Sequence, residues 1–125
     1  MILEGYFNQN GEPVVNLDLM SASIEALIDT GFFGSLIVPR MMANDLDLQF
    51  EGVEEFYTVT GEMFTAPSYF TKIRWFGEEV KMPIAISDEI SEALLGTRML
   101  QGCRLTIDYA ESTVIIERAA AAERL

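Results

Sequence analysis

The chain contains no histidine. That absence excludes a Ser-His-Asp triad, a Cys-His pair and any zinc site built on imidazole. Proton transfer in an enzyme of this composition falls to carboxylates. Cysteine is nearly absent too: Cys103 stands alone, so no intrachain disulfide can form, and a reducing compartment suits the chain. Lys and Arg total 8 against 20 Asp and Glu, a formal charge of −12. Nucleic-acid binding draws on phosphate neutralisation by basic side chains, so no nucleic-acid partner is expected, and no anionic membrane surface. No apolar run approaches the ~20 residues that span a bilayer. The opening "MILEGYFNQN" has no basic region and meets Glu4 early, unlike a secretory signal. A soluble cytoplasmic protein is the expectation.

What remains is a composition half apolar and 22% charged over 125 residues. This predicts one globular domain, 1–125, with a core that needs no disulfide, metal or cofactor. The tail 118–125, "RAAAAERL", is helix-prone but too short to be stable alone.

Short strands separated by turn signals predict an all-β class. "PVVNLDL" (13–19), "SIEALID" (23–29) and "SLIVP" (35–39) read as strands, and "RMMANDL" (40–46) as a short helix behind Pro39. "FYTV" and "MFTA" flank a hairpin tip at Thr60-Gly61-Glu62. "SYFTKIRWFGEEVKMPIAIS" (68–87) reads as a longer hairpin turning at Gly77-Glu78. "SDEISEALLG" is either a helix start or a buried strand end. "RLTIDYAESTVIIE" (104–117) gives two strands around a polar turn. "LIVPRMM" (36–42) and "LLGTRML" (94–100) share Leu, Arg and Met in step, each leading into an expected short helix.

One acidic residue interrupts an apolar stretch: Asp29, in "ALIDTGFFGSLIVP" (26–39). Asp is disfavoured in strands and costly to bury. It is either an Asx-type turn residue or a carboxylate held for chemistry. The motif Leu27-Ile28-Asp29-Thr30-Gly31, followed by Phe32, resembles the active-site motif of retropepsin-like aspartic proteases, most nearly the small bacterial Asp-Thr-Gly-Phe type. Leu94-Leu95-Gly96 resembles that family's second signature, and Gly102–Tyr109 follows it at a similar spacing. The resemblance runs from residue 14 to about 117. It implies a closed β-barrel with one or two short helices and a flap hairpin, hydrolysing peptide bonds without cofactor or metal. It also implies an internal pseudo-two-fold, which would account for the echo between 36–42 and 94–100.

Peptide hydrolysis needs one group to deprotonate water and another to protonate the carbonyl oxygen or leaving amine. Two carboxylates close together can do both, because they cannot both ionise and so retain one proton. The sequence holds no second Asp-Thr-Gly or Asp-Ser-Gly. A protease of this sequence is therefore a homodimer, with Asp29 beside its symmetry mate. By resemblance, Thr30 bonds across to the partner loop, and Gly31 admits water and a peptide or protein substrate. Ser35 supports the loop; Thr60, Gly61 and Glu62 form the flap tip; Phe32, where small residues are common, walls the substrate pocket. "MILEG" and "TVIIE" are candidate strands for the dimer contact.

Other readings stand beside this one. A catalytically silent dimer could bind extended peptide segments by strand addition. A narrow processing factor would look inactive on generic peptides. The acidic run 44–55 lacks the register of a calcium loop and reads as solvated surface. Cys103 and the Tyr69, Ile73, Trp75 face read as packing.

Overall fold

The computed structural model describes residues 1–20 and 22–119. Among them, in chain order, are β1 (Ile2–Phe7), β2 (Pro13–Asp18), β3 (Ser23–Ile28), β4 (Leu36–Pro39) and α1 (Arg40–Ala43). β5 (Gln49–Tyr57), β6 (Met63–Trp75), β7 (Glu78–Ser87), β8 (Ala93–Leu95), β9 (Cys103–Asp108) and β10 (Thr113–Arg118) follow. Alternation makes these strands: in β2, Val15 and Leu17 are buried while Asn16 and Asp18 face water. The tail beyond Ala119 lies outside the described residues, and with it most of the helix-prone segment.

Strands β2, β3, β8, β4, β7 and β6 form a closed ring. The ring shuts where β6 crosses β2 at Asp18 and Arg74, whose side chains face each other at 3.8 Å. β5 extends the sheet from β6, and β1, β10 and β9 extend it from β2. Closure removes the free edges of the ring strands and leaves β5 and β9 as the outer edges. Val38, Ile73, Ile84, Ala93 and Leu95 are fully buried inside. Ile73→Val should cost about 0.5–1.5 kcal/mol, read as a shift in urea midpoint with unchanged slope. Among the described residues no helix is long and apolar enough to cross a membrane.

The ring has an internal two-fold pattern. β3 pairs in parallel with β8, β4 pairs in parallel with β7, and β4 and β8 pair antiparallel with each other. Exchanging β3 with β7 and β4 with β8 maps these ladders onto themselves. Ala26 faces Ala93, and Ala85 faces Ile37. In the antiparallel ladder Leu36 faces Leu95 and Ile37 faces Leu94, so the exchange that maps this ladder onto itself sets Leu36 on Leu94 and Ile37 on Leu95. The echo between 36–42 and 94–100 therefore falls on these two paired strands, in the register of their ladder.

Other expectations are corrected in detail. No α-helix follows β8: Met99, Leu100 and Cys103 donate to Gly96, Thr97 and Leu100 in successive three-residue turns. "SDEISEALLG" resolves as a strand end. Ser87 Oγ accepts the Glu89 amide at 3.0 Å, and the chain bends into β8. The β6–β7 turn is centred on Phe76-Gly77, one residue earlier than expected, both at positive φ (51° and 79°). Phe76 accepts that conformation because its ring is buried, packed edge-on to Trp75 and under Arg118. Part of the acidic run is the edge strand β5, whose Glu51 and Glu55 face water. "MILEG" and "TVIIE" pair with each other within the chain, Ile2 with Glu117 through Gly5 with Val114. Interleaving them with a second copy would break that ladder. Cys103 is half-buried against the core, and burial pushes its thiol up.

Candidate active site

β3 ends at Ile28, so Asp29 is the first residue of the loop beyond it. Its amide donates to the Leu95 carbonyl at 3.0 Å, extending the β3–β8 ladder by one step. Its carbonyl accepts the Phe32 amide at 3.1 Å, and Oδ1 accepts the Gly31 amide at 2.9 Å. The Asx turn and the available carboxylate are therefore the same residue. Asp29 is half-buried, and among the described residues no Lys or Arg pairs with it. Asp88, the residue just past β7, is held differently. Arg40 grips Asp88 through two bonds, 2.7 and 3.1 Å, and this contact keeps the Asp88 carboxyl below its usual range.

The second signature is the loop's clamp. Gly96 donates to the Ser35 carbonyl at 2.9 Å, Thr97 to Phe32 at 2.9 Å, and Arg98 to Gly34 at 3.1 Å. Three consecutive amides thus satisfy three carbonyls of the Asp29 loop, as buried backbone requires. Gly96 must lack a side chain: a Cβ there would lie 2.2 Å from the Gly34 carbonyl oxygen. Leu95 is fully buried and Leu94 half-buried. Ser35 supports the loop through its carbonyl. Gly31 has no positive φ; a Cβ there would sit 3.2 Å from Asp29 Oδ1 and crowd the carboxylate. Thr30 is exposed, with no hydroxyl hydrogen bond among the described residues.

Thr60, Gly61 and Glu62 lie in the turn joining β5 to β6. Thr58 closes it: its amide donates to Glu62 at 2.9 Å, its carbonyl accepts the Gly61 amide at 3.0 Å, and Oγ1 accepts the Glu62 amide at 3.1 Å. Gly61 takes φ 88°, the conformation that glycine accepts without strain. Phe32 turns inward. Its ring is half-buried, 5.5 Å from Phe56 of β5, which stacks 5.4 Å from Phe64 of β6.

Several residues that the sequence did not single out meet here. Phe33 is 74% exposed, next in the chain to the inward Phe32. With Arg98, Tyr57, Glu54 and Glu55 it lines a cavity of about 110 Å³ between the Asp29 loop and the root of the hairpin. Tyr57, Val59 and Met63 are exposed on the hairpin end. Their one sequence signal is apolar side chains flanking a turn, which alone does not distinguish a binding surface from a loosely covered core.

No family model matches the chain, and no curated protein matches its sequence. Solved structures do. A retropepsin-like aspartic protease from Rickettsia conorii superposes with TM-score 0.64 at 20% identity, over 93% of this chain and 88% of that one. EIAV protease, solved with an inhibitor, gives 0.63 at 21% identity, over 76% and 90%. The chain has the retropepsin fold. The closed ring of six strands and the near absence of helix among the described residues are consistent with that fold. At these identities the likeness establishes architecture, and any activity has to be argued from the residues.

Proposed function

We propose that the chain is one half of an aspartic endopeptidase. Two copies meet on a two-fold axis so that their Asp29 carboxylates share one proton and activate a water. One carboxylate takes the water's proton while the other protonates the peptide carbonyl oxygen, with no covalent intermediate. Thr30 braces the partner loop, Gly31 leaves room beside the carboxylate, and the 58–62 turn closes over an extended peptide and excludes water. No cofactor or metal takes part.

The observation that carries this reading is the way Asp29 is held. Asp88 is bound to Arg40, whereas among the described residues no Lys or Arg pairs with Asp29, and backbone hydrogen bonds hold it at a fixed attitude. A carboxylate positioned by seven residues of clamped loop, 29–35, and left uncompensated is poised for acid–base work rather than stability.

Sedimentation and dilution test it together. Sedimentation should show a dimer, and cleavage of a mixed peptide pool at mildly acidic pH should fall per chain as the dimer is diluted apart. Activity should also fall as rising pH removes the shared proton. A monomer at micromolar concentration would sink the dyad. Peptides bound but left uncut at every pH would favour the adaptor reading. Cytoplasmic residence and a bacterial source remain part of this proposal.

A further inference from the structure

We propose that Phe32 is a positioning residue: it sets the root of the flap hairpin against the Asp29 loop, through the rings of Phe56 and Phe64. The proposal rests on the reading of Asp29 as the catalytic carboxylate, and it adds a second role to the expected pocket wall, since Phe32 also lines the cavity beside Phe33.

Phe32 is tied to the site at its backbone. Its amide donates to the Asp29 carbonyl, and its carbonyl accepts from Thr97, in the clamp. Its ring has little freedom. A Cβ on Gly34 would fall 2.5 Å from Phe32 Cζ, and one on Gly96 would fall 2.6 Å from Cδ2. The two glycines form a slot that the ring fills, pointing at β5. There it meets Phe56, 8% exposed, which belongs with Ile37, Ala66 and Ala85 to a second apolar cluster separate from the barrel core. Phe64, Ile90 and Leu94 pack on the same cluster. Every residue from 57 to 63 is exposed beyond it. Phe56 and Phe64 face each other across the hairpin, so they form its last buried rung. The hairpin thus has a free end, a fixed root, and one side chain joining that root to the catalytic loop.

A small cluster outside the main core can loosen without opening the barrel. Shortening Phe32 should therefore act on the hairpin first. Hydrogen–deuterium exchange on the full chain reads this directly, with Phe32→Leu and Phe32→Ala compared with wild type. Amides of residues 56–63 should exchange about two- to tenfold faster, the range expected for losing one aromatic pair. Amides of β2 and β3 should keep their rates. Phe64→Leu should reproduce the effect from the other side of the hairpin. On a cleaved peptide, KM should rise more than kcat falls.

Equal acceleration in β2 and in the hairpin would reduce Phe32 to ordinary packing and overturn the proposal. So would unchanged hairpin exchange with an altered preference among peptides, the mark of a pocket wall. The exchange experiment needs no activity. Wild type that cuts nothing would sink the protease reading while leaving this readout intact, and Asp29→Asn should leave hairpin exchange unchanged.

Discussion

Replacing Asp29 with Asn should lower kcat/KM by about a thousandfold or more, equivalent to ~4 kcal/mol of transition-state stabilisation. Asn keeps an Oδ1 to accept the Gly31 amide, so the Asx turn that shapes the loop is preserved. It cannot hold or move the shared proton. Stability should therefore stay within about 0.5 kcal/mol of wild type, as for a half-exposed isosteric change. Mixing gives the sharper measurement. If chains exchange freely and each site needs two aspartates, activity scales with the square of the wild-type fraction. Activity on or above a straight line in that fraction would mean that a site with one Asp29 still works. The shared-proton chemistry would then be wrong even if the chain cleaves peptides.

The features legible from sequence were those set by neighbours along the chain. Alternation exposed β2 and β3, Thr60-Gly61-Glu62 marked a tight hairpin, and Asp29-Thr30-Gly31 stood out as a polar break between apolar runs. Pairings between distant segments were not legible. Ring closure at Asp18 and Arg74 joins residues far apart in sequence, and no local pattern announces it. The start of β5 was hidden because an edge strand tolerates acids that a central strand would reject, so Glu51 and Glu55 read as surface alone. The echo between 36–42 and 94–100 is legible as a repeat, while the antiparallel pairing that brings its two strands together is not.

The direction of Phe32 belongs to the same class of problem. Two phenylalanines in succession at 32 and 33 give no sign of which faces inward. The choice is made by Gly34 and Gly96, which open a slot for one ring, and by Phe56, which meets it from β5. Gly96 thus serves two purposes in one residue: its amide holds the Ser35 carbonyl, and its bare α-carbon seats Phe32. The second signature is a structural device that fixes the Asp29 loop, and its own side chains need no chemistry.

Gly96→Ala should consequently be far more damaging than its size suggests. The new methyl would lie 2.2 Å from the Gly34 oxygen and 2.7 Å from the Phe32 oxygen. These are the acceptors of the Arg98 and Thr97 amides, so the loop cannot retreat without giving up two hydrogen bonds in a buried setting. Overpacking commonly costs 1–3 kcal/mol, and the lost bonds bring the expected total to about 4 kcal/mol. That is enough to unfold a marginal domain of this size. Two other glycines calibrate the estimate. Gly61→Ala meets nothing within 4 Å and bears only the strain of φ 88°, about 1–2 kcal/mol. Gly34→Ala collides with the rings of Phe32 and Phe56, at 2.5 and 3.0 Å, rather than with backbone. Phe32→Leu should therefore partly rescue Gly34→Ala and leave Gly96→Ala unrescued. Urea midpoints of the three variants, with and without Phe32→Leu, decide it. A Gly96→Ala protein within about 1 kcal/mol of wild type would show that the loop can move off the second signature freely. The carboxylate would then lack the fixed attitude on which the proposed hydrolysis depends.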